Sequence, residues 1–153
     1  MNTKRLQIAV TPPVFCKSKA LREEVTRYFP NTVFNDKNRY LTPPELIAFL
    51  QGKDGAIIGR DIIGLSELES LSNLRIISKY GVGLDNVDEE ALFKKKIALG
   101  WTPGVNKRSV AELTLCFMLG LFHNVFSTGI HLKNGQWRKE GGKELSGKKI
   151  GII

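Results

Sequence analysis

Short β-branched runs alternating with amphipathic stretches constrain this chain more than any other feature of it. Apolar runs fall at residues 6–10, 32–34, 55–59, 74–79 and 97–101. Between successive runs lies a segment with helical periodicity or helix start signals, not a second run at hairpin distance. Strands joined by single helices leave no room for hairpins, so the class is α/β with a parallel, helix-covered sheet.

Local signals punctuate the pattern. Thr11-Pro12-Pro13 stops the first strand. Ser18 caps a helix through about Phe29, with Leu21, Val25, Tyr28 and Phe29 on its inner face. Thr42 and Glu45 have capping-box spacing with Pro43 and Pro44 in the first turn, Leu46, Ile47, Phe49 and Leu50 form the apolar face, and Gly52 ends the helix. Residues 66–69 open a short helix, and Asp88 caps another through about Lys95.

Past Gly104 the texture changes. Ser109 and Glu112 form a further capping box, opening a long helix over about 109–126. Val110, Leu113, Phe117 and Leu121 make one apolar stripe, and Leu115, Met118, Leu119, Phe122 and Val125 fill most of the remaining circumference. A helix apolar on nearly all sides is buried on nearly all sides. Its cover is either the rest of an ordinary domain or, the reading favoured here, a further domain or partner subunit. Residues 145–153 read as a strand opening another βαβ unit.

Composition narrows the class. With 42% hydrophobic and 25% charged residues the chain is globular, and no apolar run reaches the roughly 18–20 residues of a membrane span. The first apolar stretch is five residues long, too short for a secretory signal. Cys16 and Cys116 lack metal-ligand or redox spacing, and Cys116 reads as a small buried hydrophobe. The cytoplasm is the expected compartment. The net charge of +8 comes from scattered basic residues; the densest runs, 94–96 and 148–149, close a helix and precede a strand. No aromatic-interleaved basic stripe marks a nucleic-acid surface, and the positive field suits a small anionic substrate.

The most informative segment is residues 78–88, SKYGVGLDNVD. It is a glycine-rich turn at the C-terminal end of a parallel strand, where open α/β sheets place ligands. Positive φ at Gly81 and Gly83 would let the N–H groups of Val82 and Gly83 converge on an anion. Equally, the glycines could serve turn geometry alone, with Asp85 and Asn86 stabilising the turn. Spacing leaves both open.

KYGVGLDNVD resembles the signature loop of the D-isomer-specific 2-hydroxyacid dehydrogenases, a family that includes D-3-phosphoglycerate dehydrogenases. WTPGVNKRSVAELTLCFMLGL and then NGQW…GKELSGKKIGII continue the resemblance in order, from about Asp54 onward. It implies a flavodoxin-like substrate domain over 1–103 and, over 104–153, the truncated start of a Rossmann cofactor domain. It further implies NAD or NADP as cofactor, a small anionic 2-hydroxyacid or 2-oxoacid as substrate, and a homodimer built on the 109–126 helix, with neither nucleic acid nor membrane as partner. In the family the loop matching Val82 and Gly83 offers N–H groups to the substrate carboxylate near the nicotinamide. Val110 matches a cofactor contact in some members, and Asn106 lies close to it in sequence. Arg60 falls near a substrate-contacting Arg of phosphoglycerate-type members, although Gly59 is an alternative match, and Lys79 is an equal candidate for the anion.

The family's GxGxxG loop, its acidic ribose ligand, and its catalytic Arg, Glu and His match no residues of this sequence, so the chain alone is expected to be inactive. His123 and His131 fall where the family does not place its base. A phosphorylatable receiver is excluded by the lack of acidic residues after the first strand and of an Asp ending the third, and a flavodoxin by Pro12-Pro13 in place of a phosphate loop. The alternative within the family is a non-catalytic, NAD(H)-binding dimeric regulator.

Overall fold

The computed structural model describes residues 3–139 and 141–152. The chain divides into two compact units, Met1–Gly104 and Val105–Ile153.

The first unit is a five-stranded parallel sheet of order β2-β1-β3-β4-β5, the flavodoxin-like order. Its strands are β1 (Ile8–Val10), β2 (Thr32–Phe34), β3 (Gly55–Ile58), β4 (Ile76–Lys79) and β5 (Ala98–Gly100). The register aligns Ile8 with Thr32 and Gly55, Gly55 with Ile76, and Ile76 with Ala98. The helices are α1 (Pro13–Lys17), α2 (Lys19–Tyr28), α3 (Pro43–Leu50), α4 (Leu65–Glu69) and α5 (Glu89–Lys94).

Two of the expected caps form as written. Ser18 Oγ accepts from the Leu21 N–H, and Asp88 Oδ1 accepts from the Ala91 N–H at 2.9 Å. At α3, Glu45 Oε2 accepts from the Thr42 N–H at 2.9 Å, and Gly52 stops the chain's helical course with φ +70°. The main core lies on one face of the sheet, where Ala9, Ala56, Ile58 and Ile77 meet Leu46, Leu50, Leu68, Ala91 and Leu92. On the other face Val10, Phe15 and Cys16 pack with Leu21, Val25, Phe34 and Ile57. That second layer is narrow. Tyr28, expected on the inner face of α2, is 57% exposed, and Ile76 on β4 is 44% exposed.

Helix α1 was not anticipated. Pro12-Pro13 reads as a stop, yet Pro13 opens a helix, since a proline at the first helical position lacks only an N–H that would be unpaired anyway.

The second unit corrects four expectations. Its first helix, α6 (Lys107–Phe122), begins two residues before Ser109, so the Ser109–Glu112 pair lies inside it and caps nothing. The helix ends at His123, Asn124 adopts φ +54°, and α7 (Val125–Lys133) continues at a 70° bend. Gly120 is the buried residue of α6; a Cβ there would lie 2.7 Å from the Phe126 ring, which folds back from α7 to sit 6.0 Å from Phe117. Cys116 is exposed, because nothing among the described residues covers the face that carries it. Val110, Leu113, Leu115, Phe117 and Leu121 are likewise about half exposed or more.

The strand expected over 145–153 does not form across 145–152, and Ile153 lies outside the described residues. A strand exists only through its ladder, and here Gly147, at φ +71°, turns the chain so that the Lys148 N–H bonds the Leu145 carbonyl at 3.1 Å. No single described helix is long and apolar enough to cross a membrane.

Candidate active site

The ends of β3 and β4 shape an open groove of about 780 Å³ at the C-terminal edge of the sheet. Its walls come from the segment 59–64 after β3 and the segment 79–88 after β4. These two loops are joined by backbone bonds: Tyr80 N–H to Ile58 O at 2.7 Å, Ile63 N–H to Asn86 O at 2.9 Å, and Asp88 N–H to Ile63 O at 2.9 Å.

The Asn86 side chain completes the junction. Its amide donates to Gly59 O at 3.1 Å and to Asp61 O, and its Oδ1 accepts from the Lys79 ammonium, which also donates to Gly59 O. One amide thus ties both loops and a lysine together. Burial pushes the Lys79 ammonium below its ordinary pKa, and the negative charges of Asp85 and Asp61 oppose that shift.

Next to Arg60 in the chain, Asp61 carries a carboxylate only 4% exposed that is not part of the groove wall. Its Oδ2 accepts from the Gly59 N–H at 3.0 Å and from the Thr11 hydroxyl, while its Oδ1 has no partner among the described residues. Thr11 is itself fully buried at the end of β1. The sequence reading missed Asp61, since a charged residue just after a strand reads as surface; its position beside Gly59-Arg60 was the one available signal.

Of the residues singled out from sequence, Arg60, Lys79, Val82 and Gly83 all line this groove. Gly81 takes φ +139°, the positive φ expected there from the sequence. Gly83 does not adopt positive φ, contrary to expectation, and the one close neighbour a Cβ there would meet is the movable end of the exposed Asp85 side chain. Trp101, which was read only as the end of a strand, donates its indole N–H to Val82 O at 3.0 Å and so holds the loop by its carbonyl. Among the described residues, no acceptor takes the N–H of Val82 or of Gly83. Two adjacent unengaged donors on a fixed loop are what a small carboxylate needs.

Arg60 is exposed, its guanidinium 5.6 Å from the centroid of the Tyr40 ring. Asn106 and Val110 belong to the second unit. Asn106 caps α6 without a side-chain bond, and Val110 is 52% exposed in the first turn. His131 Nδ1 lies 3.2 Å from Gln136 Oε1, and no cluster of three or more His, Cys, Asp or Glu side chains suits a metal among the described residues.

Comparison with known proteins gives the groove its setting. The model for the catalytic domain of D-isomer specific 2-hydroxyacid dehydrogenases matches residues 14–143. The chain is 41% identical over 88 residues to a hydroxypyruvate reductase of Thermotoga maritima, covering 56% of this chain and 29% of that protein. It is 36% identical over 121 residues to a D-3-phosphoglycerate dehydrogenase of Methanocaldococcus jannaschii, covering 74% of this chain and 22% of the relative. An NAD+-bound 3-phosphoglycerate dehydrogenase from Entamoeba histolytica superposes with a TM-score of 0.70 at 25% identity, over 92% of this chain and 43% of the other. The chain therefore spans under a third of these two curated relatives. Its sheet order, its KYGVGLDNVD loop and the matched family model together make this chain a member of the D-isomer specific 2-hydroxyacid dehydrogenase family.

Proposed function

We propose that this chain is the substrate-binding part of an NAD(P)-dependent oxidoreductase that moves a hydride to or from the second carbon of a small 2-oxoacid or D-2-hydroxyacid. The observation that carries the reading is the pair of unengaged N–H groups at Val82 and Gly83, on a loop fixed by Trp101 and Asn86 at the C-terminal edge of a parallel sheet. In this reading they hold the substrate carboxylate. Lys79 and Arg60 supply positive charge along the groove.

The substrate unit is residues 1–103. Residues 104–153 begin the cofactor unit, with Asn106 and Val110 at its nicotinamide side, and α6 is the surface on which two copies pair. No GxGxxG occurs in the sequence, and such a loop at a helix N-terminus is what holds a dinucleotide pyrophosphate. When bound, the nicotinamide supplies the hydride; the chain's own residues orient the acid beside it.

The test is a titration of isotopically labelled chain with oxamate, a stable mimic of a 2-oxoacid, followed by amide NMR. Selective shifts at Val82 and Gly83 are expected, while calorimetric titration with NADH shows no measurable heat. Oxamate shifts scattered over exposed lysines, with those two amides unmoved, would overturn the assignment.

A further inference from the structure

Accepting the groove as the carboxylate site, we propose that Asp61 is a positioning residue for it. From outside the groove wall, its buried carboxylate fixes the residue whose carbonyl grips both ends of the Val82–Gly83 loop.

That loop is fastened at its two ends. Lys79 stands before it and Asn86 after it, and the Lys79 ammonium and the Asn86 amide both donate to Gly59 O. The Asn86 amide also donates to Asp61 O, and its Oδ1 accepts from Lys79, so the two ends hold each other as well. The direction of the Gly59 carbonyl therefore sets how the segment between them is presented.

Gly59 has no side chain of its own to anchor it. Its N–H donates to Asp61 Oδ2 at 3.0 Å, and the same oxygen accepts from the hydroxyl of Thr11, fully buried at the end of β1. Asp61 thus links the end of β1 to segment 59–61, and that segment to both ends of the loop. Joining the two strands does not require it. Their ladder already runs from Ile8–Gly55 to Val10–Ile57, and the Thr11 N–H extends it to Ile57 O at 2.9 Å. Burying a carboxylate costs stability unless its bonds offset the loss, and here Oδ1 has no partner among the described residues. What the residue supplies is position.

Labelled wild type, D61A, D61N and L50A are each titrated with oxamate while the amides of Val82 and Gly83 are followed, and each is unfolded in urea. L50A lowers stability from the core, so it controls for destabilisation by itself. D61A should weaken oxamate at those amides by about fivefold or more, the equivalent of one net hydrogen bond. D61N keeps an oxygen in the place of Oδ2 and should stay within about twofold of wild type, less than half a hydrogen bond. L50A should bind as wild type does. If D61A does not fold, T11V reads the same link by removing one of the two donors: it should weaken oxamate, and T11S should not.

Wild-type affinity in folded D61A, whatever its stability, would overturn the proposal and leave Asp61 a structural residue. An equal loss in L50A would do so too, since affinity would then follow stability alone. If oxamate leaves Val82 and Gly83 unmoved in the wild type, the carboxylate site is wrong and the proposed function falls with it. If the wild type binds there and D61A binds equally well, that function stands and only the role of Asp61 fails.

Discussion

Replacing Asn86 with alanine should unfasten the two loops that form the groove, and the cost can be worked from its contacts. The side chain donates to two carbonyls, Gly59 O and Asp61 O, and accepts from the Lys79 ammonium. Each neutral bond contributes about 1 kcal/mol net and the charge-assisted one about 1.5 kcal/mol or more. Asn86 and Lys79 are half-buried, so water replaces part of the loss. A destabilisation of about 2–4 kcal/mol is expected. For a unit of this size the entropy of unfolding is about 0.2 kcal/mol/K, which turns that loss into a fall in Tm of roughly 10–20 °C. Urea unfolding followed by circular dichroism measures the first quantity and a thermal scan the second. Hydrogen exchange adds a local readout: Ile63 and Asp88 donate across the junction and should lose protection before the core strands do. A loss below about 0.5 kcal/mol, with Ile63 and Asp88 as protected as before, would refute the junction as described.

Three further outcomes follow from the same structure. Leu50→Ala removes a fully buried side chain from the main core, and urea unfolding should show a loss of about 2–5 kcal/mol. Glu45 is held well below its ordinary pKa of 4.5 by Arg39, then by Lys37 and the Thr42 N–H. Its contribution is therefore complete above pH 4.5 and declines as pH falls toward the depressed value, so the stability gap between wild type and E45Q should shrink below that pH; a gap that widens there would show the sign to be wrong. Asn124→Val forces a β-branched residue into φ +54° between α6 and α7 and should destabilise by about 1–2 kcal/mol, while Asn124→Gly should be near neutral.

What was legible in the sequence was local. Ser18 and Asp88 announce their helices because a cap bond reaches only three residues along the chain. The strands announce themselves because each is a short apolar run between glycines, prolines or polar residues, and single helices between them force parallel pairing. What was missed depends on distant partners or on a choice between competing local states. Asp61 is buried through Thr11 and Gly59, and Thr11 is fifty residues away. Trp101 reaches Val82 across nineteen residues. The break at His123–Asn124 carries neither proline nor glycine, and the left-handed Asn124 that makes it is one of several conformations open to asparagine. Ser109 has the right spacing for a capping box, yet the chain already turns helical at Lys107. For residues 145–152 an apolar pattern suggested a strand, but pattern alone supplies no ladder partner.

The measurement that bears most directly on the groove is a crystal structure of the chain with oxamate. The expected result is a carboxylate whose oxygens sit about 3 Å from the N atoms of Val82 and Gly83, with Lys79 still bonded to Gly59 O and Asn86. Oxamate bound elsewhere, with both N–H groups left to solvent, would contradict the assignment of this loop as the carboxylate site.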